Sequence, residues 1–146
     1  MRITWTQQPL AQDRESLFWF NVLEVPPKAK DGDSQNVLQL AFRTRIKMFF
    51  RPDGLPGDPA IAAGNLKWSQ QGTALIANNS SPYYVSMAKA TVTVNGKKIE
   101  VDSHTIPPLS NETIPVKNAP ALRGGKIEYT AINDFGGTEK HQAAIN

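Results

Sequence analysis

The chain of 146 residues is 40% hydrophobic and 20% charged, which is typical of a folded globular protein and argues against disorder throughout. It contains no cysteine, so disulfides and thiolate metal sites are excluded. Its formal net charge of +3 tolerates an anionic partner, but acidic and basic residues are interspersed, without the dense basic stripe of a nucleic-acid-binding protein. We therefore expect a globular protein that does not bind nucleic acid.

Short apolar runs separated by turn residues dominate the chain, and this pattern predicts an all-β fold with an immunoglobulin-like β-sandwich. We find neither the apolar core of a secretory signal nor the roughly 18 apolar residues of a membrane span. Two turns support the strand boundaries: KDGD at 30–33, and NGKK at 95–98, whose Asn-Gly suits a type I′ hairpin. In chain order, the predicted strands are residues 2–6, 17–25, 37–50, 66–70, 74–78, 84–94, 97–101, 112–115 and 126–132.

The segment RPDGLPGDPA, residues 51–60, has three prolines, two glycines and no apolar period, which indicates a domain boundary near Pro52. Residues 53–146 are long enough for one immunoglobulin-like sandwich of about 100 residues. Residues 1–52 offer three strands, which are too few to bury both faces of a sheet without a disulfide or a metal. We predict two domains, the first of which needs cover from another surface.

Two stretches are more specific than this general pattern: DRESLFWFNVLEVPP at 13–27 and NVLQLAFRTRIKMFFRP at 36–52. Together they closely resemble the periplasmic chaperones of chaperone–usher pilus assembly, a two-domain immunoglobulin-like family of the PapD and FimC type. The segments NNSSPYYV (78–85) and AINDFGG (131–137) fall where that family has similar segments. The resemblance implies a periplasmic chaperone that caps pilus or fimbrial subunits and has an outer-membrane usher as a further partner.

In that family the last strand of the first domain lends alternating apolar side chains to a subunit that lacks its own final strand, which is donor-strand complementation. Alignment on IKMFFRP matches Leu38, Leu40 and Phe42 to the donated positions. Period-two alternation places these three side chains on one face of the strand, as a row of large knobs. Without the resemblance, such a row is most simply the core of its own sandwich.

Lys47 matches the family's cleft lysine, which anchors the C-terminal carboxylate of the bound subunit together with an arginine near the chaperone's N-terminus. A partly desolvated ammonium facing a carboxylate forms a charge-assisted hydrogen bond and sets the register of the strands. Strict alternation puts Lys47 and Leu38 on opposite faces, so a bulge or bend is needed for both to serve one ligand. Without the resemblance, Lys47 is an ordinary solvated side chain.

Glu15, Arg51 and Asp134 match a charged trio that bridges the two domains in that family. A bidentate arginine held by one carboxylate from each domain would fix the angle of the cleft between them. We assign this trio a geometric role, because exposed ion pairs contribute little net stability. If the resemblance fails, the three residues are unrelated surface charges.

The family's first domain has seven strands, and this sequence aligns within its later part, so we expect an N-terminally truncated chain without the anchoring arginine. Two functions remain open: a chaperone that caps subunits by strand donation, and a truncated, non-functional remnant with an incomplete subunit-binding site. A sugar-binding sandwich is a third alternative, supported only by aromatic residues such as Tyr83 and Tyr84. The uncovered first half also predicts a homodimer formed through residues 1–52.

Enzymatic activity is not expected from this sequence. His104 and His141 are its two histidines, neither lies near paired carboxylates at useful spacing, and no glycine-rich phosphate loop is present. The pattern places His104 in a loop and His141 in a polar tail. Because no cluster of metal ligands occurs, we predict no catalytic residue, no metal site and no cofactor.

Overall fold

The computed structural model describes residues 2–25, 40–116 and 121–146, and strands dominate these ranges. The strands are β1 (Ser16–Glu24), β2 (Phe42–Phe50), β3 (Lys67–Gln71), β4 (Ala74–Asn79), β5 (Val85–Val94), β6 (Lys97–Val101), β7 (His104–Ile106), β8 (Ser110–Pro115), β9 (Lys126–Ile132) and β10 (Thr138–Ala144). One short helix, α1 (Pro59–Ala62), continues into a 3-10 turn, Ala63–Asn65.

The helix α1 begins inside the segment that the sequence predicts as a linker. Asp58 caps it, because its carboxylate accepts a hydrogen bond from the backbone N–H of Ala60 at 2.8 Å. Pro59 occupies the first helical position, where its missing N–H has no intrahelical partner to lose. The proline-rich segment is therefore built into the fold at its C-terminal end.

The chain divides into two compact units, which we call the large unit and the hairpin unit. The large unit comprises Met1–Glu15 and Arg51–Asn146, and the hairpin unit comprises Ser16–Phe50. This division reflects contacts in space, whereas the boundary near Pro52 follows from composition along the chain. The assignment of domains to residues 1–52 and 53–146 stays a prediction.

The large unit is a sandwich of two antiparallel sheets. One sheet has the order β3–β4–β8, and the other has the order β10–β9–β5–β6, with β7 also paired to β5. Along β5 and β9, buried and more exposed side chains alternate, so one face of their sheet contributes to a shared core. The prediction of an all-β sandwich is confirmed. The largest fully buried hydrophobic side chains are Trp68, Leu75, Met87, Ile106, Ile114, Leu122, Ile127 and Ile145.

The last two residues cross from one sheet of the sandwich to the other. Ile145 forms a parallel bridge with Trp68 on β3, although β10 just before it pairs with β9. The N–H of Asn146 donates to the carbonyl of Trp68 at 3.0 Å, and the N–H of Gln70 donates to the carbonyl of Asn146 at 3.3 Å. The chain end therefore covers the edge of β3 that β4 leaves open.

Most predicted strands are found with small shifts of their ends. β6 and β9 have the predicted bounds, and β1, β3, β4, β5 and β8 differ from prediction by one or two residues. The predicted type I′ turn is also confirmed, because Asn95 and Gly96 both have positive φ angles, 49° and 75°. The KDGD turn at 30–33 lies outside the described residues.

Several strand predictions are wrong. Residues 2–6 are not a strand, because alternation alone does not supply a neighbouring strand to pair with. The predicted strand 37–50 begins at Phe42 within the described part, and residues 37–39 lie outside it. His104 and His141 lie in β7 and β10, not in a loop and a tail. β7 has only three residues, and β10 is a polar edge strand without a strong apolar alternation.

We predict that Gly125→Ala destabilises the large unit. A Cβ at this position would lie 2.9 Å from the carbonyl oxygens of Leu122 and Thr93 and 3.2 Å from the Cβ of Val94, so backbone would have to shift. Overpacking of this kind lowers the free energy of unfolding by about 1–3 kcal/mol. Urea unfolding followed by tryptophan fluorescence measures the change.

Gly64→Ala is the matched control. A Cβ on Gly64 would meet the His141 ring at 3.4 Å, which is ordinary van der Waals contact. We expect a change in the free energy of unfolding smaller than about 1 kcal/mol for this variant. Equal losses for the two variants would contradict the packing argument for Gly125.

Candidate functional site

The hairpin unit contains β1 and β2, paired antiparallel along their whole length. The register runs without interruption from Ser16 opposite Phe50 to Glu24 opposite Phe42. Because side chains alternate between the two faces of a sheet, even-numbered residues of both strands share one face and odd-numbered residues share the other. We call these the even face and the odd face.

The even face is apolar and open to water. Leu40, which precedes β2, is 56% exposed, and Phe42 at its start is 59% exposed. Further exposed apolar side chains on this face are Phe18, Val22 and Ile46. Exposed apolar patches on folded proteins are often interaction sites. Leu38, the third residue that the sequence predicts for the donated row, lies outside the described residues.

The odd face combines aromatic and basic side chains. The Arg45 guanidinium lies 3.9 Å from the centre of the Trp19 ring, and the ammonium of Lys47, which lies opposite Trp19 in the register, is 5.9 Å from it. Lys47 is half-buried, and burial lowers the pKa of its ammonium, because a desolvated cation gives up its proton more easily. Arg43 and Arg45 are exposed.

The bulge that would bring Lys47 to the face of Phe42 is not found. The pairing of β1 with β2 has no register shift between Phe42 and Phe50, so the two side chains lie on opposite faces. Among the described residues, β1 is the one strand paired with β2, and the opposite edge of β2 carries no strand. The side chains of a strand added at this edge would alternate between the even and the odd face. One added strand could therefore reach both Phe42 and Lys47 without a bulge in β2.

Arg51 directly follows β2 and holds two carboxylates. Its Nη1 and Nη2 donate to Asp134 at 2.6 and 3.0 Å, and its Nε donates to Glu15 at 2.6 Å. These bonds, that to Asp134 first, raise the pKa of the Arg51 guanidinium, while Arg51 lowers the pKa of Asp134. The sequence predicted this trio, and all three residues belong to the large unit. Its role in fixing the angle between domains stays a prediction.

Glu15 is the buried member of the trio, with 3% of its surface exposed. Its second carboxylate oxygen accepts a hydrogen bond from the backbone N–H of Tyr84 at 2.6 Å, and its own N–H donates to the carbonyl of Pro82 at 2.9 Å. The Arg51 guanidinium also lies 5.2 Å from the centre of the Tyr83 ring. A buried carboxylate thus has both oxygens bonded, as its desolvation requires.

Asp134 is positioned by the turn between β9 and β10. The side-chain oxygen of Asn133 accepts hydrogen bonds from the N–H groups of Phe135 and Gly137, at 3.1 and 2.8 Å. Its amide nitrogen donates to Glu139 at 2.9 Å. These bonds fix the turn locally, so the Asp134 carboxylate meets Arg51 with little further loss of chain entropy.

Sequence reasoning missed three of these features. The bond from Tyr84 N–H to Glu15 and the stacking of Arg45 on Trp19 join residues far apart in the chain, and no local pattern signals them. The Asn133 turn did have a signal, because Asn-Asp-Phe-Gly-Gly carries the residue types of an Asx turn. Within ranges 2–25, 40–116 and 121–146, no group of three or more potential metal ligands occurs. No helix in these ranges is both long and apolar enough to cross a bilayer.

Comparison with protein families covers nearly the whole chain. Residues 61–143 match the family described as the pili assembly chaperone PapD, C-terminal domain. Residues 1–56 match the family described as the pili and flagellar-assembly chaperone, PapD N-terminal domain. The two matches together confirm the resemblance that the sequence motifs indicate.

Individual relatives agree with this assignment. The probable fimbrial chaperone YadV of Escherichia coli K12 is 46% identical over 143 residues, which cover 93% of this chain and 58% of YadV. The crystal structure of the YadV chaperone has a TM-score of 0.80 at 45% identity, covering 94% of this chain and 66% of that one. The Salmonella enterica SafB chaperone in complex with SafA pilin has a TM-score of 0.75 at 34% identity, covering 95% and 64%. This chain thus spans less than two thirds of the relatives it matches.

We predict that the Asp134–Arg51 pair stabilises the large unit in a pH-dependent way. Arg51 holds the pKa of Asp134 below its ordinary value of 3.8, so the folded chain binds this proton more weakly than the unfolded chain. The stabilisation is therefore fully present above pH 3.8 and is lost as the pH falls through the lower folded-state pKa. Thermal unfolding of the unsubstituted chain and Asp134→Asn should differ at neutral pH and converge in acid.

Glu15→Gln provides the comparison with a buried partner. Because Asp134 is about half exposed, its substitution should lower the free energy of unfolding by less than about 1 kcal/mol. Glu15 is buried and bonds Arg51 and Tyr84, so Glu15→Gln should lower it by about 1–3 kcal/mol. A larger loss for Asp134→Asn, or a separation of its melting curve that persists unchanged into acid, would contradict this picture.

Proposed function

The chain belongs to the family of pili assembly chaperones, and from this premise we propose that it binds and caps a pilus subunit by donating β2 to it. The observation that carries this proposal is the exposed apolar row before and along β2, beside an edge that carries no strand in the described part of the chain. Such an edge offers backbone hydrogen bonds to an incoming strand. The row offers the side chains that fill the partner's groove.

Leu40 and Phe42 are the described members of the proposed donor row, and Leu38 is its third member by the alternation of the sequence alone. Each is a large apolar side chain, and burial of one such side chain contributes about 1.5–3 kcal/mol. A subunit that lacks its final strand has an apolar groove of the complementary kind. Complementation therefore buries apolar surface on both partners at the same time.

Lys47 is the proposed anchor for the C-terminal carboxylate of the subunit. Its ammonium is partly desolvated, and an anion beside it would restore the lost solvation with a charge-assisted hydrogen bond. A strand added to the edge of β2 would place its residues beside both the even and the odd face. One strand could thus contact Phe42 with a side chain and Lys47 with its terminal carboxylate.

The remaining parts of the proposal follow the family. The SafB relative is found in a solved structure in complex with SafA pilin, which supports a pilin subunit as the partner of this chain. We propose a periplasmic location, an outer-membrane usher as the second partner, and no enzymatic activity or cofactor. Glu15, Arg51 and Asp134 would hold the cleft angle at which the subunit is presented. The alternative is a remnant that folds but does not capture subunits.

A second copy of the chain is the proposed occupant of the even face when no subunit is bound. The apolar side chains of this face are exposed on β1 as well as on β2, including Phe18 and Ile46. Two such faces packed together would remove this apolar surface from water, with Leu40 and Phe42 between them. Self-association would therefore compete with subunit capture.

We predict that Leu40→Glu abolishes subunit capture without unfolding the chain. Leu40 is 56% exposed, so the free protein tolerates the change, whereas a charge buried in the partner's groove costs several kcal/mol, roughly a hundredfold or more in affinity. Co-purification with a panel of pilus subunits that includes SafA measures capture. The control is Ile61→Glu, since Ile61 is 57% exposed and lies in α1 of the large unit. Undiminished capture by Leu40→Glu would refute the donor-strand assignment, and no capture by any form would favour the remnant.

We also predict that the free chain self-associates through the hairpin unit. Light scattering across a concentration series should show a rise in mass, because the exposed even face gains burial on dimerisation. Leu40→Glu and Phe42→Glu should shift the chain toward monomer, and Ile61→Glu should not. A folded monomer at high concentration would show that the even face is not an interface between copies.

A further inference from the structure

Three basic side chains occupy alternate positions on the odd face of β2. Arg43, Arg45 and Lys47 follow one another at a spacing of about 7 Å, the repeat of two strand residues. With Trp19 on β1 they form the basic part of the odd face, which we call the basic face. All four residues belong to the hairpin unit.

In the described part of the hairpin, the residues opposite Arg43 and Arg45 carry no negative charge. Leu23 lies opposite Arg43, and Asn21 lies opposite Arg45 in the register of β1 and β2. No carboxylate of the described residues forms a salt bridge with Arg43 or Arg45. Like charges on neighbouring positions repel, so the row gains most from anions supplied by a partner.

Trp19 holds one of these cations in place. Its ring lies 3.9 Å from the Arg45 guanidinium, which is the distance of a direct cation–π stack. Stacking restricts the side chain of Arg45 but leaves the N–H groups at the edge of its guanidinium able to donate. A guanidinium held in this way loses less entropy when it binds a carboxylate.

We infer that the strand that adds to β2 carries carboxylate side chains at alternate positions, facing Arg43 and Arg45, and apolar side chains at the positions between. This inference rests on the proposed strand addition and specifies the chemistry of its partner. Cross-strand pairs of opposite charge stabilise a sheet, and the added strand would lie directly beside these two arginines. Its apolar residues would extend the even face.

An extended polypeptide fits the two faces better than other anionic partners. Its side chains alternate with the same period as those of β2, so one strand can meet a basic and an apolar face together. A nucleic acid would satisfy the basic face and leave the even face in water. A lipid surface could meet only one of two opposite faces of a ribbon.

Two synthetic peptides of nine residues, the length of β2, test this inference on the full chain. One alternates valine with glutamate, and the other alternates valine with glutamine. Isothermal titration should show roughly threefold to tenfold tighter binding of the glutamate peptide. The difference should shrink at high salt and vanish in the double variant Arg43→Gln/Arg45→Gln. The double variant Lys97→Gln/Lys98→Gln on β6, which removes the same charge elsewhere, should keep it.

A charge-reversal variant distinguishes a loss of the basic face from a loss of folding. The double variant Arg43→Glu/Arg45→Glu, which makes the net charge of the row negative, should bind a peptide that alternates valine with lysine more tightly than the glutamate peptide, which an unfolded hairpin could not do. Equal binding of the glutamate and glutamine peptides would overturn the inference and leave strand addition standing. Binding of neither would overturn strand addition as well. Equally tight binding of single-stranded DNA or anionic phospholipid vesicles, lost in the same arginine variant, would show a general cationic surface and overturn the inference.

Discussion

The buried carboxylate of Glu15 is the contact on which the described arrangement depends most. Glu15 and Arg51 are the residues that flank the hairpin unit in the chain, and their 2.6 Å bond joins the two points where the chain leaves the large unit and returns to it. The other oxygen of Glu15 is bonded to the backbone at Tyr84, next to the start of β5. A single desolvated group thus ties a local ion pair to the framework of the sandwich, and neither oxygen can lose its donor cheaply.

The large unit buries most of its large apolar side chains, whereas the hairpin unit leaves many of its own exposed. The large unit has two sheets and one continuous core, with side chains such as Trp68 and Ile114 fully buried. The described part of the hairpin unit has two strands, and Phe42 on it is exposed although it begins a strand. A two-stranded ribbon has little stability on its own, and burial of its exposed apolar side chains would add to that stability.

The sequence predicted the central strands better than the edges, and the reason is physical. β5 and β9 have neighbours on both sides and bury one face, so their apolar alternation is strong and their ends were placed to within one residue. β10 is an edge strand whose side chains are mostly exposed, so its sequence, TEKHQAA, has no apolar alternation that would predict a strand. Residues 2–6 show the reverse case, because they alternate well but pair with no strand of the described part of the chain.

Some residues of the candidate site could likewise be predicted from the sequence, and others could not. The trio of Glu15, Arg51 and Asp134 and the exposed row at Leu40 and Phe42 were accessible from motifs, because a family resemblance assigns residues one by one. The stacking of Arg45 on Trp19 depends on the register between β1 and β2. This register places Trp19 opposite Lys47 and next to Arg45, which come much later in the chain. Alternation within β2 already places Arg43, Arg45 and Lys47 on one face, but the position of Trp19 beside them is a tertiary property that no local pattern reveals.

The crossing of Ile145 and Asn146 from β10 to β3 has a consequence for how the sandwich is made. These residues close the edge of a strand near residue 68, so a contact between distant parts of the chain completes the sheet. Contacts of long sequence separation form slowly, since the intervening chain must first be brought together. During synthesis, β3 and β4 therefore emerge long before their last neighbour and wait with an open edge. Until residues 145 and 146 take their places, this edge of β3 can pair with other strands.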